Sequence, residues 1–138
     1  MKKQKSCGLI LFTREKDTKF LLLHYKHGHW SFIKGHVEEG ELDKETVSRE
    51  TKEETGITDF SFIEGFKEDI NYTFKESNKT IFKEVTFYLA ETKEKDVRLS
   101  DEHIGYEWLG FDDALRLLSF NDTKALLKKA NILIKTSK

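Results

Sequence analysis

Apolar positions along the chain follow two rhythms. Residues 6–13 (SCGLILFT) and 19–25 (KFLLLHY) are unbroken apolar runs of strand length, parted by the polar turn 14–18. Runs of that kind predict adjacent, deeply buried strands. Residues 60–74 alternate in the manner of a strand with a kink at Gly65. Residues 80–91 form its partner, so the pair reads as a hairpin about Ser77, Asn78 and Lys79. A short strand follows at 105–109. Near the end the spacing turns helical: Leu115 and Leu118, then Ala125, Leu126, Ala130 and Leu133. These positions predict helices over 111–118 and 122–134, the first with Asp112 as its N-cap residue.

The segment 43–55 breaks both rhythms. Leu42 and Val47 are the only large apolar side chains between Glu41 and Thr55, so propensity makes it helical while little of it can be core. Gly35 and Gly40 allow a sharp loop before it, and Gly56 stops it as a C-cap. The order β-β-α-β-β-β-α-α predicts an α/β fold, a mixed sheet with helices on both faces.

Composition narrows the class without naming it. The 138 residues suit one domain, 1–138. Hydrophobic content is 37%, charge 36% and net charge −1, which argues against disorder and against a polyanion-binding surface, so no DNA partner is expected. The single cysteine, Cys7, cannot form an internal disulfide and lies in an apolar strand, where a small buried residue is the expectation. The apolar run 7–12 is too short for a signal peptide or a membrane span, which predicts a cytoplasmic protein without a membrane partner. A monomer is expected. Proline is absent altogether, and no function follows from that.

Chemistry enters at the helix. Glu50, Glu53 and Glu54, spaced i, i+3, i+4, share one helix face. Three carboxylates together are unfavourable unless a cation neutralises them, and hard oxygen donors suit Mg²⁺, with Mn²⁺ as the other option. Arg49 precedes Glu53 by four residues and can reach back to Glu41, bracing the loop. A solvated helix with chance charge pairs is the usual meaning of such a run, but the spacing says more. Gly35, Glu41, Arg49, Glu50, Glu53, Glu54, Gly56 and Ile57 match G-x5-E-x7-R-E-U-x-E-E-x-G-U, the box of the Nudix family, with Thr51 at a position that asks for an apolar residue. At ordinary residue frequencies that match would arise by chance in on the order of one chain in a million.

The chain thus resembles Nudix hydrolases, which implies an α/β/α sandwich. It resembles most the asymmetric diadenosine tetraphosphate (Ap4A) hydrolases of animal and archaeal type, through residues 36–41, 49–54, 64–67, Asn71-Tyr72, 101–103, 106–110 and Phe120. Two prolines are common in that family before the Lys-Gly entering the box; Phe32 and Ile33 stand here. The resemblance implies Mg²⁺-dependent hydrolysis of a dinucleoside polyphosphate, or another nucleotide, by in-line attack of a metal-activated water. Glu50, Glu53, Glu54 and the Gly35 carbonyl would hold the metal. Glu102 matches the place from which similar enzymes supply a distal glutamate; a surface loop acid is the alternative.

Four bridged phosphates need cations, and Lys34, His29 and His36 flank the box, while Lys79 and Lys83 lie on or near the hairpin. Adenine needs flat apolar partners, for which Tyr72 and Phe120 are the candidates, with Tyr25 behind them. Taken singly, a turn lysine such as Lys79 is more often solvated and Phe120 more often core. Trp108 is assigned to the core or to support of the site. The rival substrates are 5′-triphosphorylated RNA, oxidised nucleoside triphosphates and nucleotide sugars. A non-catalytic nucleotide-binding module is the rival from another class, and such modules tend to lack the box carboxylates present here.

Overall fold

The computed structural model describes residues 2–137. Its elements run β1 (Lys2–Thr13), β2 (Lys19–Tyr25), β3 (Trp30–Ser31), β4 (Ile33–His36), α1 (Asp43–Thr55), β5 (Phe60–Phe62), β6 (Glu68–Glu76), β7 (Lys79–Thr92), β8 (His103–Leu109), α2 (Phe111–Leu117) and α3 (Asn121–Thr136). Among the described residues all eight strands join one sheet. Its centre is the parallel pair β1–β7, in register from Lys2↔Ile81 to Phe12↔Glu91. Every other pairing is antiparallel. A parallel pair is covered on both faces and so reads as continuous apolar sequence, as 7–12 and 87–90 do.

Alternation along β1 feeds two cores. Cys7, Leu9 and Leu11 pack with Ile33, Tyr88 and Val47 of α1. Ile10 and Phe12 pack with Phe87 and Leu89 and with Ala114, Leu126 and Ala130 of the two C-terminal helices. Helices therefore cover both faces of a mixed sheet, the α/β/α sandwich expected. No helix of the described residues is long and apolar enough to cross a membrane.

Several details differ from the pattern-based expectations. β1 and β2 meet only at Phe12↔Phe20 and Thr13↔Lys19. The chain returns through β4 to fill the edge of β1 at Ser6–Leu9, so β2 pairs instead with β3 and β8. The kink at Gly65 is a full break: with φ +92° there, β5 and β6 take separate stretches of β7. The hairpin turn is Ser77-Asn78, both at positive φ (51° and 65°), as a two-residue type I′ turn requires. Helix α2 starts before Asp112: Gly110 is its N-cap, and Asp112 sits in the first turn, where its charge still favours the helix dipole.

Helix α1 is capped at Leu42, whose backbone N–H donates to Glu45 Oε1 at 2.8 Å. It ends at Gly56 in the left-handed region (φ +78°). Its buried residues are Thr46, Val47, Thr51, Glu54 and Thr55. Thr51, at the position where the box asks for an apolar side chain, is fully buried. Small threonines let the helix lie close to the sheet, and that closeness carries Glu54 inside with them.

Candidate active site

Arg49 ties the loop to the helix, as its spacing suggested. Its Nε donates to Glu41 Oε2 at 2.7 Å, and Nη2 donates to Glu41 Oε1 at 3.1 Å and to the His36 carbonyl at 2.9 Å. Nη1 lies 3.3 Å from Glu50 and 3.4 Å from Glu53. Glu41 also accepts from Thr46 Oγ1 (2.7 Å) and the Glu38 amide (3.0 Å). Arg49 first, then the Glu38 amide and the Thr46 hydroxyl, hold the Glu41 carboxyl down at about 2.

Glu50 rests against Gly35. A Cβ on Gly35 would fall 1.7 Å from Glu50 Oε2, so only glycine leaves room for the carboxylate over that backbone. Burial, then hydrogen bonding with and charge from Glu53, push Glu50 to about 7 despite Arg49. Glu54 goes further. It is 2% exposed, and neither oxygen has a hydrogen-bond partner. Burial first, then the charges of Glu50 and Glu102, raise it to about 9; the Lys34 backbone N–H, close by but outside hydrogen-bond geometry, opposes this only in part. Its neighbour is the buried His103, with Nε2 3.5 Å from Glu54 Oε1. Burial lowers the His103 pKa, which disfavours an ion pair between the two.

Among the described residues no three acidic, histidine or cysteine side chains converge as a ready-made cation cage. Glu50 is engaged with Arg49, and Glu54 is turned towards His103. The donor set nonetheless fits a hard divalent cation. An orphaned, buried carboxyl beside two further acids is an arrangement that a cation stabilises by replacing a proton.

The opposite face of the sheet holds a cavity of about 300 Å³. Ile70 and Phe87 form its apolar floor, and Tyr72 and Phe120 stand at its rim, 37% and 47% exposed. Phe120 is the N-cap of α3 and so is not core. A Cβ on Gly8 would fall 2.4 Å from the Phe87 ring; glycine there lets the floor lie flat. His29, Ser31, Lys34 and Asp122 supply the polar side. Lys83 pairs with Tyr72 across β6–β7 and so shares that face. Burial and the charge of Lys34 lower its pKa. His36 is lowered by burial, then by Lys83 and Lys34. Lys34, lowered by burial, is drawn back by Asp122 and by Glu54. Lys34 thus lines the cavity and also feels the charge of Glu54 on α1.

Other expected residues lie elsewhere. Tyr25 is buried behind His29, stacked on it at 4.5 Å, and its hydroxyl donates to the Phe32 carbonyl at 2.6 Å; it supports the site from within. Lys79 opens β7 opposite Glu76 at the exposed hairpin tip and does not line this cavity. Glu102 is exposed, yet its charge acts on Glu50 and Glu54. Trp108 packs against the α1-side core, and its Nε1 donates to the Lys95 carbonyl at 3.0 Å. Phe32 and Ile33 are buried. Asp122, Ser31 and His103 were not expected. Asp122 and Ser31 carry no motif, whereas His103 adjoins Glu102 and could have been found as its neighbour.

Comparison with known proteins agrees with this geometry. The chain is 44% identical to the pig (Sus scrofa) bis(5′-nucleosyl)-tetraphosphatase [asymmetrical] over 140 residues, covering 92% of each chain. It is 34% identical to the Caenorhabditis elegans protein of the same name, covering 91% of this chain and 92% of that one. The solved structure of a C. elegans Ap4A hydrolase binary complex superposes with a TM-score of 0.85 at 31% identity, covering 97% of this chain and 99% of that one. With residues 2–130 matching the NUDIX domain and relatives of that identity along most of its length, the chain belongs to the Nudix family.

Proposed function

We propose that this chain hydrolyses dinucleoside polyphosphates, Ap4A foremost, cleaving it asymmetrically to ATP and AMP with Mg²⁺, or Mn²⁺, as cofactor. The observation that carries this reading is the arrangement of three zones. Lys34 feels the charge of an acidic helix face with a buried, partnerless carboxyl, and it also lines a cavity rimmed by Tyr72 and Phe120. A phosphate chain ending in a flat base would span such an arrangement. The names of the pig and nematode relatives point to the same substrate.

Each residue then has a task. Glu50, Glu53 and Glu54, with the Gly35 carbonyl, are the ligands for the divalent cation. When bound, a divalent cation there would offset phosphate charge and lower the pKa of a water, so that its proton can be removed near neutral pH. Lys34 and Lys83, with His29 and His36, bind nonbridging oxygens, whose charge grows during phosphoryl transfer. Tyr72 and Phe120 clasp the adenine, where stacking is worth about 1–3 kcal/mol per base. Glu102 takes the proton of the attacking water. Arg49 and Glu41 keep the loop carrying Gly35 in register with α1. The proposal extends to a single domain over 1–138 working as a cytoplasmic monomer, with the nucleotide as its required partner.

Substrate preference tests this directly. Values of kcat/KM are measured with Mg²⁺ for Ap4A, Ap3A, 8-oxo-dGTP and a 5′-triphosphorylated RNA. Ap4A should lead by at least about tenfold, a margin of roughly 1.4 kcal/mol in transition-state binding. A lead by the RNA or by 8-oxo-dGTP would overturn the substrate assignment, and no turnover of any of them would overturn catalysis itself.

A further inference from the structure

Three buried polar atoms without partners belong together. Both Glu54 carboxylate oxygens and His103 Nε2 lack a hydrogen bond, and Nε2 lies 3.5 Å from Oε1 with both side chains all but closed to solvent. Orphans of this kind are rare because each is destabilising, and they concentrate where function needs them. The imidazole is not free to turn. Its Nδ1 is 3.1 Å from Ser100 Oγ, and Tyr25 meets the ring edge-on at 4.4 Å. Tyr25 is itself pinned through its hydroxyl to Phe32.

Ser100 Oγ accepts the Glu102 amide at 3.4 Å and has both a proton and a second lone pair to offer His103 Nδ1, so the ring tautomer sets the direction of that contact. A neutral imidazole that accepts at Nδ1 carries its own proton on Nε2. A carboxyl that ligates a cation must be ionised, and an ionised carboxylate only accepts. Nε2 is then the donor facing it.

We propose that His103 is a positioning residue for Glu54. Ser100 holds the ring in its Nε2–H tautomer, and Nε2–H donates to Glu54 Oε1, which would leave Oε2 to hold the cation. A shift of well under 1 Å brings the 3.5 Å approach to the usual N–H···O⁻ length of about 2.8 Å. This inference rests on Glu54 being a cation ligand. Outer partners of ligating carboxylates fix ligand orientation, and their loss typically weakens metal binding by about 10–100-fold.

Mn²⁺ binding, followed by EPR of the free ion, tests the inference without turnover. The proteins are wild type, Glu54→Gln, His103→Phe, His103→Gln and Ser100→Ala. Phe fills the ring volume without a donor, and Gln restores an N–H donor. His103→Phe should weaken binding by about 10-fold or more, His103→Gln should recover most of it, and Ser100→Ala should fall between. In the Mg²⁺-loaded wild type, a long-range ¹⁵N–¹H correlation spectrum should show the His103 proton on Nε2. Ser100→Ala and the spectrum leave the ring in place, so they decide the matter even if His103→Phe fails to fold. Binding by His103→Phe equal to wild type while Glu54→Gln loses it would overturn the positioning role alone, as would a proton found on Nδ1. Wild-type binding by Glu54→Gln would overturn the ligand role of Glu54 and the inference with it.

Discussion

Replacing Glu54 by Gln should stabilise the metal-free protein at alkaline pH while abolishing its response to metal. The Glu54 carboxyl is 2% exposed and raised from 4.5 to about 9, so between those values the native state keeps a proton that the unfolded chain gives up. Raised folded pKa means stability fully present below about pH 4.5 and lost as pH climbs towards 9, at up to about 1.4 kcal/mol per pH unit. From pH 5 to 8 that is up to about 4 kcal/mol, a large part of the roughly 5–15 kcal/mol of a typical domain. Local rearrangement and water entry reduce it to about 2–3 kcal/mol. Gln fills the same space and does not titrate. Urea unfolding in EDTA should therefore find the two proteins close at pH 5. At pH 8 the variant should be more stable by about 2 kcal/mol, or about 4–8 °C in Tm for a chain of this size. Mg²⁺ at a hundredfold excess over its Kd should add about 2.7 kcal/mol to wild type and far less to the variant. A wild-type stability that is flat from pH 5 to 8 in EDTA, or a variant no more stable at pH 8, would refute the buried-carboxyl reasoning.

Gly35→Ala should leave the fold intact, because the clash falls on the flexible end of Glu50. The displaced carboxylate should nevertheless weaken Mn²⁺ binding at least about tenfold, read by the same EPR titration; unchanged binding would mean that Glu50 is not a ligand. Tyr72→Ala and Phe120→Ala should each raise KM for Ap4A about 10–100-fold with kcat less affected, as loss of about 1–3 kcal/mol of stacking requires; steady-state kinetics decide it. Lys83→Ala should lower kcat/KM at least about tenfold, whereas Lys79→Ala, at the hairpin tip, should lie within about twofold of wild type. Equal losses in the two lysine variants would place the phosphates elsewhere.

The helix and its chemistry were legible in sequence because backbone geometry fixes them. Residues at i, i+3 and i+4 share a face wherever the helix lies, so the alignment of Glu50, Glu53 and Glu54 along α1 and the reach of Arg49 to Glu41 were legible. The hairpin at Ser77-Asn78 was legible for the same local reason. The turning of Glu50 to Arg49 and of Glu54 to His103, which keeps the carboxyl groups from converging among the described residues, was not. What sequence did not give depends on the path of the sheet. β4 displaces β2 from most of β1, a competition between strands that no single segment records. Sequence offers Phe120 and Tyr25 alike as adenine contacts, but the start of α3 puts Phe120 at the cavity rim while Tyr25 lies buried with its hydroxyl on the Phe32 carbonyl. Lys79 and Lys83 differ by only four residues, yet the hairpin register puts Lys83 beside Tyr72 and Lys79 at the tip. The pairing of Glu54 with His103 joins residues far apart in the chain and could come only from the fold.

The most direct measurement of the proposed activity is product analysis of Ap4A turned over with Mg²⁺ in ¹⁸O-labelled water. ATP and AMP in equal amounts, with the label in AMP, are expected if water attacks the phosphorus next to one adenosine. Two molecules of ADP, or label in ATP, would contradict asymmetric attack at that position.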